Sequence, residues 1–218
     1  MNKQFLLFAL ILVLPAVALA GPKRERLIID LNGGTQAGED AGTSGYNSST
    51  SDPVLLEIHA DEVVNLPDES VAQPAAEYVG VYSEEAGLGF LPGVKVQQRN
   101  RGPGPSPLLA DMAVIMGPQP VTFRLDLPEG KYRVTTYHHD QRWQSVGRLN
   151  LEVDGQNVGG LEKTSHGKAP QNDTVGRVTF ENVVKDGLPL EITFILSPDE
   201  RPGNLSFPIN GIYVEPLP

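Results

Sequence analysis

Between Val121 and Tyr137 the chain alternates with a period of two. Val121, Phe123, Leu125 and Leu127 interleave with Thr122, Arg124 and Asp126, and after Pro128-Glu129-Gly130 the residues Tyr132, Val134 and Thr136 interleave with Arg133, Thr135 and Tyr137. That period belongs to strands with one buried and one wet face, and the intervening turn residues predict a β-hairpin. Leu149, Leu151 and Val153 repeat the pattern up to Asp154-Gly155. Val175–Val183, Leu188–Leu196 and Phe207–Val214 supply three more strands, and Arg26–Asn32 a first one ending at Asn32-Gly33-Gly34.

The rest of the N-terminal half is less regular. Residues 33–76 form a loop-rich insertion, within which Val54–Ile58 reads as a short strand and His59–Val64 as either its continuation or a helical turn. Glu77–Tyr82 alternates weakly, glycines punctuate Gly87–Gly93, and the prolines of Arg101–Pro107 exclude both a helix and a central strand. Seven or more short strands with no amphipathic helix of useful length predict an all-β jelly-roll sandwich, with residues 21–218 as one domain.

Residues 1–20 belong to a different pattern. Lys3, the apolar run Phe5–Leu14 and Ala18-Leu19-Ala20 before Gly21 read as a secretory signal peptide, too short to span a membrane comfortably. Export predicts a secreted, periplasmic or cell-surface protein. The chain has no cysteine, which removes disulfides, thiolate metal sites and cysteine nucleophiles, and also lipid attachment at the cleavage point. A net charge of −10 argues against nucleic acid or an anionic membrane as partner.

The order of several motifs is similar to that of the galactose-binding-like β-sandwich modules. These are Leu27-Ile28-Ile29-Asp30-Leu31, Gly87-Leu88-Gly89-Phe90, Arg99-Asn100-Arg101, Leu108-Leu109-Ala110-Asp111, the run Phe123–Val134, and Ile209-Asn210-Gly211-Ile212. The chain resembles in particular the malectin-like domains and the module preceding the catalytic domain of bacterial rhamnogalacturonan acetylesterases. Asn100 stands where that pattern often has an acid between the arginines, and the Gly-Asp-Ser block of the esterase nucleophile is absent. The resemblance implies a monomeric accessory module that binds polysaccharide or glycoconjugate through loops at one end of the sandwich, and it makes a structural calcium an expectation.

Candidate chemistry concentrates at Tyr137-His138-His139-Asp140 and Trp143, the only tryptophan. Strand parity separates the two histidines: His138 and Asp140 face the core, about 6–7 Å apart, and His139 faces away, so the pair does not converge on one ion. His138 then reads as a buried histidine bonded to Asp140 or a backbone carbonyl. Trp143 follows in a polar loop, either as a plug of the sandwich end or as a stacking platform for a sugar face. The predicted glycan site combines Trp143 with Tyr46 or Phe90 as stacking surfaces and Arg99, His139 and Asp140 as polar contacts. Arg99 and Arg101 have a structural alternative, ion pairs with Asp111 or Asp140.

Asp30, Asn32 and Asp40 would supply calcium oxygens together with Glu215 if the first and last strands are neighbours. No nucleophile elbow, phosphate loop or His-Glu-x-x-His motif is present. The predicted function is therefore non-catalytic glycan binding. Two alternatives remain open, a protein-interaction module of the cell surface, and a polysaccharide lyase or hydrolase whose paired carboxylates leave no local signature.

Overall fold

The computed structural model describes residues 25–31, 52–55, 60–66, 80–93, 96–101, 106–167, 175–200 and 203–218. Residues 1–20 and most of the 33–76 insertion, with Asn32, Asp40 and Tyr46, lie outside them. In chain order the strands are β1 (Leu27–Leu31), β2 (Glu62–Leu66), β3 (Leu88–Phe90), β4 (Val96–Asn100) and, after the single-turn helix α1 (Pro107–Ala110), β5 (Asp111–Met116) and β6 (Val121–Leu125). They continue as β7 (Gly130–Asp140), β8 (Arg148–Val153), β9 (Gln156–Leu161), β10 (Ser165–His166), β11 (Gly176–Val184), β12 (Leu190–Ser197), β13 (Ser206–Ile209) and β14 (Gly211–Leu217). His59–Val64, ambiguous from sequence, contributes to strand β2 from Glu62 onward, and β2 runs parallel to β1.

Three sheets result. The largest runs β10-β7-β14-β1-β2 with β11 also paired to β7, the second runs β3-β6-β12-β8-β9, and the third runs β13-β5-β4. Their inward residues meet in one apolar core: Ile29, Val134 and Ile212 from the first sheet, Phe123, Leu151 and Phe194 from the second, Ile115 and Phe207 from the third. This is a jelly-roll β-sandwich.

The predicted hairpin is corrected. β6 pairs with β3 and β12, whereas β7 pairs with β11 and β14. Pro128-Glu129-Gly130 therefore carries the chain across the core from one sheet to the other, and the Tyr132 hydroxyl fastens this arch by donating to the Pro128 carbonyl at 2.7 Å. The connection from β11 to β12 crosses beside it, since Gly130 pairs with Val184 and Leu125 with Leu190. Alternation states which face of a strand is buried; it does not state which strand lies next to it, and two strands facing each other across one core alternate as a hairpin does.

A second apolar cluster covers the outer face of the largest sheet, where Leu108 and Leu109 of α1 pack with Ile28, Leu55, Tyr137 and Tyr213. Buried Asp52 holds this cover in place, accepting from the amides of Val54 (2.8 Å) and Leu108 (2.9 Å) and from the Ser106 hydroxyl (2.6 Å). Asn210, fully buried, joins the layers where β13 passes into β14. Its amide donates to the Tyr137 carbonyl and its own carbonyl accepts from the Leu31 amide, both at 2.9 Å. Its side chain accepts from the His139 amide at 2.6 Å and donates to the Asp111 carbonyl at 2.9 Å.

Candidate functional site

The C-terminal half of β7 delivers His138, His139 and Asp140 to one end of the sandwich, all buried. Parity holds: the His138 ring lies in the core beside Phe194 and Phe207. Its Nδ1 sits 2.8 Å from the Pro208 carbonyl, which only accepts, so Nδ1 carries the proton and Nε2 accepts from the Thr136 hydroxyl at 2.8 Å. Burial lowers the pKa to about 4, opposed by the Pro208 bond, so the ring is neutral near pH 7. Of the two expected partners, Asp140 or a backbone carbonyl, the ring takes the carbonyl, with the Thr136 hydroxyl on its other nitrogen.

His139 faces the other way, as parity requires, yet it meets no solvent. Its Nε2 lies 3.0 Å from the Gly167 carbonyl and its Nδ1 2.9 Å from the Ser165 hydroxyl, because β10 pairs beside β7 and brings Ser165 level with His139. Burial lowers its pKa as well. The expectation that His139 contacts a ligand is corrected for the same reason: both ring nitrogens are taken by the protein.

Asp140 closes on Arg101. The guanidinium donates from Nε at 3.0 Å and from Nη2 at 2.8 Å, and both side chains are buried. Oδ1 of Asp140 also accepts from the amides of Arg142 (2.9 Å) and Trp143 (3.2 Å). Asp140 is therefore the foundation of the next loop, with both oxygens taken by Arg101 and by loop amides, which corrects its predicted role as a sugar contact.

The loop 141–147 is anchored along its length. Ser145 and Thr164 exchange two bonds of 3.0 Å, each side-chain oxygen accepting the other's amide, and Val146 bridges to Ser206. Gly147 donates to Asp199 at 3.1 Å and has φ +97. A Cβ at that position would lie 2.8 Å from the Ser197 carbonyl and 2.7 Å from Leu205, so only glycine fits. From this pinned loop Trp143 projects with 65% of its surface exposed. The indole therefore does not fill the end of the sandwich.

Beside the loop lies a cleft of about 760 Å³ lined by Pro92, Met116, Pro118, Gln119, Asn204 and Leu205 among others. Leu205 is the residue against which Gly147 packs, so the cleft wall and the tryptophan loop share a support. Arg99, half-buried on edge strand β4, reaches Met116 Sδ at 3.9 Å and Gln97 Oε1 at 3.3 Å. Burial, then the neighbouring Arg101, lower its pKa, with Asp140 opposing. No local pattern in the sequence marks this cleft, whose walls come from separate connections.

Phe90 does not join the site. It is fully buried and packs edge-on against Phe123 at 4.9 Å between centroids. The glycines around it mark close backbone approach rather than a loop, for a Cβ on Gly89 would lie 2.5 Å from the Tyr82 amide nitrogen. Asp30 and Glu215 lie on neighbouring antiparallel strands but out of register: Asp30 pairs with Gly211, four residues from Glu215, or about 13 Å along the strand. Glu215 instead meets Arg133 at 3.3 Å and Arg26 at 3.6 Å. Those two calcium candidates do not converge. Among the described residues no three His, Asp or Glu side chains gather as a metal site requires, and no described helix is long and apolar enough to cross a membrane.

No protein-family model matches the chain, and no curated protein matches it. Solved structures do. A chain in the complex of the plant peptide RALF23 with FER and LLG2 superposes with a TM-score of 0.51 at 10% identity, over 87% of this chain and 48% of that one. A calcium-binding mutant of Bacteroides uniformis β-glucuronidase 2 gives a TM-score of 0.48 at 15% identity, over 88% of this chain and 18% of that one. The CBM36-1 domain of a multidomain xylanase from the hindgut metagenome of Trinervitermes trinervoides gives 0.32 at 14% identity, over 49% of this chain and 78% of that one. The chain spans less than half the length of the first two. At such identities the likeness is one of fold, and the chain shares with the first of these structures the general course of a jelly-roll β-sandwich.

Proposed function

We propose that this chain is an exported, monomeric, non-catalytic glycan-binding protein that seats a sugar face on Trp143. The observation that carries the reading is the lone tryptophan, exposed on a loop whose backbone is fastened by Asp140, Thr164, Ser206 and Asp199. An exposed indole costs hydration of its apolar face, and holding it rigid reduces the conformational entropy lost when a ring stacks on it. The adjoining cleft supplies amides at Gln119 and Asn204 for hydroxyls. Export follows from the sequence pattern of residues 1–20.

Affinity electrophoresis against a panel of neutral and acidic polysaccharides tests the proposal. The wild type should be retarded by at least one polymer, and Trp143→Ala should bind it at least about tenfold more weakly, as expected for loss of ~1–2 kcal/mol of aromatic contact. Its Tm should be unchanged, because the side chain covers no core. Failure of every polymer to retard the wild type, or equal retardation of both proteins, removes the proposal.

A further inference from the structure

Arg99 differs from several other arginines of the fold. Arg101 meets Asp140, Arg124 meets Asp126, Arg133 meets Glu181 and Glu215, and Arg148 meets Glu162. Among the described residues Arg99 meets no carboxylate: Nη2 has a 3.3 Å bond to a neutral amide and a 3.9 Å contact to a thioether, while Nε and Nη1 make no hydrogen bond. A half-buried guanidinium without a counter-ion is unfavourable in the free protein. Arg101, which lies close enough to repel it, is neutralised by its own bidentate partner, so the uncompensated charge of the pair belongs to Arg99.

We propose that the glycan is a uronate-bearing polysaccharide and that Arg99 holds a carboxylate of it beside the cleft that Met116 lines. The inference rests on the glycan-binding reading and names the substrate class of the same site. Three features support it. Prolines and Leu205 give the cleft the apolar walls a pyranose face packs against, and Gln119 and Asn204 give it neutral amides. The residues lining it carry no charge, so the guanidinium beside Met116 supplies the charge discrimination. The Arg99 guanidinium keeps unused donors at Nε and Nη1, and Nη2 is held only by neutral groups, so it offers a fork to a planar carboxylate, which accepts two parallel bonds in that geometry. The net charge of −10, which weighs against nucleic acid and anionic membranes, opposes a polyuronate as well, but at physiological salt that repulsion is screened beyond about 8 Å and leaves the contact at Arg99 to decide.

The test uses the full mature chain with polygalacturonate, alginate, carboxyl-reduced polygalacturonate and dextran sulfate, comparing wild type, Arg99→Gln and Arg99→Lys by affinity electrophoresis and calorimetry. Expected are binding of a polyuronate, at least about tenfold weaker binding of its carboxyl-reduced form, a loss of similar size in Arg99→Gln, and partial retention in Arg99→Lys. The comparison of native with carboxyl-reduced polymer needs only the wild type, so it decides the matter even if a variant misfolds. Equal binding of neutral and acidic polymers, unaffected by Arg99→Gln but weakened by Trp143→Ala, overturns the uronate assignment and leaves glycan binding standing. Binding of dextran sulfate alone overturns the carboxylate in favour of a sulfate ester. Binding of no polymer removes both readings.

Discussion

The two halves of β7 carry the same alternating pattern and have different surroundings. From Lys131 to Arg133 the outward residues lie in water, where Lys131 and Arg133 share Glu181 and Arg133 also meets Glu215, all partly exposed. From Thr136 to Asp140 both faces are buried, with α1 packed on the outer one and β10 paired along the edge. Salt bridges in the first half trade one well-hydrated state for another. In the second half the polar groups have left water for good, and His138, His139 and Asp140 are each bonded by other parts of the chain. Position along a strand does not set the energetic weight of a charge; the cover above it does.

The sharpest way to break this comparison is to remove one member of the buried pair. Asp140→Ala leaves Arg101 buried without its counter-ion and frees two loop amides, with an expected cost of about 3–5 kcal/mol in denaturant unfolding. A loss as small as a surface pair gives would show that water reaches this end of the strand.

Acid titration is next in size. His138 has a native pKa of about 4 against about 6.5 unfolded, so between those values the unfolded chain binds more protons than the native one. Stability is therefore complete above pH 6.5, declines as the pH falls towards 4, and levels off below; the His138 contribution is roughly 3 kcal/mol. His139, also lowered by burial, adds a decline of the same sign. Thermal melts across that window should show the decline, with a shallower slope in His138→Gln. An NMR titration returning an ordinary histidine pKa for His138 would contradict the buried, neutral ring.

The smallest effect is expected at Arg133→Ala, where melts should show no resolvable change in Tm at moderate salt, because the exposed ladder is screened and mobile. A large drop there would mean that the wet half depends on its ion pairs as heavily as the dry half does.

Parity was legible in the sequence, and with it the inward His138, the outward His139 and the class of the fold. The partner sheet of β7 was not, because an arch and a hairpin give identical alternation around Pro128-Glu129-Gly130. Outward also proved different from exposed at His139, since the two-residue strand paired beside it has no periodicity of its own to read. Phe90 was misplaced because glycines that admit a crossing chain look like loop punctuation. For Trp143, composition left plug and platform undecided. The contacts that hold its loop come from Thr164, Asp199 and Ser206, distant in sequence. Arg101 had two carboxylates within reach of a sequence argument, Asp111 and Asp140, and the choice of Asp140 depends on where β4 ends relative to β7, which is a matter of three-dimensional register.

Asn210 precedes Gly211, and an asparagine–glycine step is chemically fragile: the glycine amide nitrogen attacks the side-chain carbonyl carbon, closes a succinimide and expels ammonia. Here the side-chain oxygen is engaged by His139 and the side-chain nitrogen by Asp111, in a buried residue whose backbone joins two strands. The ring closure requires the side-chain amide to swing out of both bonds, and opening of the succinimide requires water to reach it, and neither occurs while the sheets are joined. Ageing at this step is thereby tied to opening of the sandwich, so the residue that stitches the layers also keeps its own hydrolytic clock stopped.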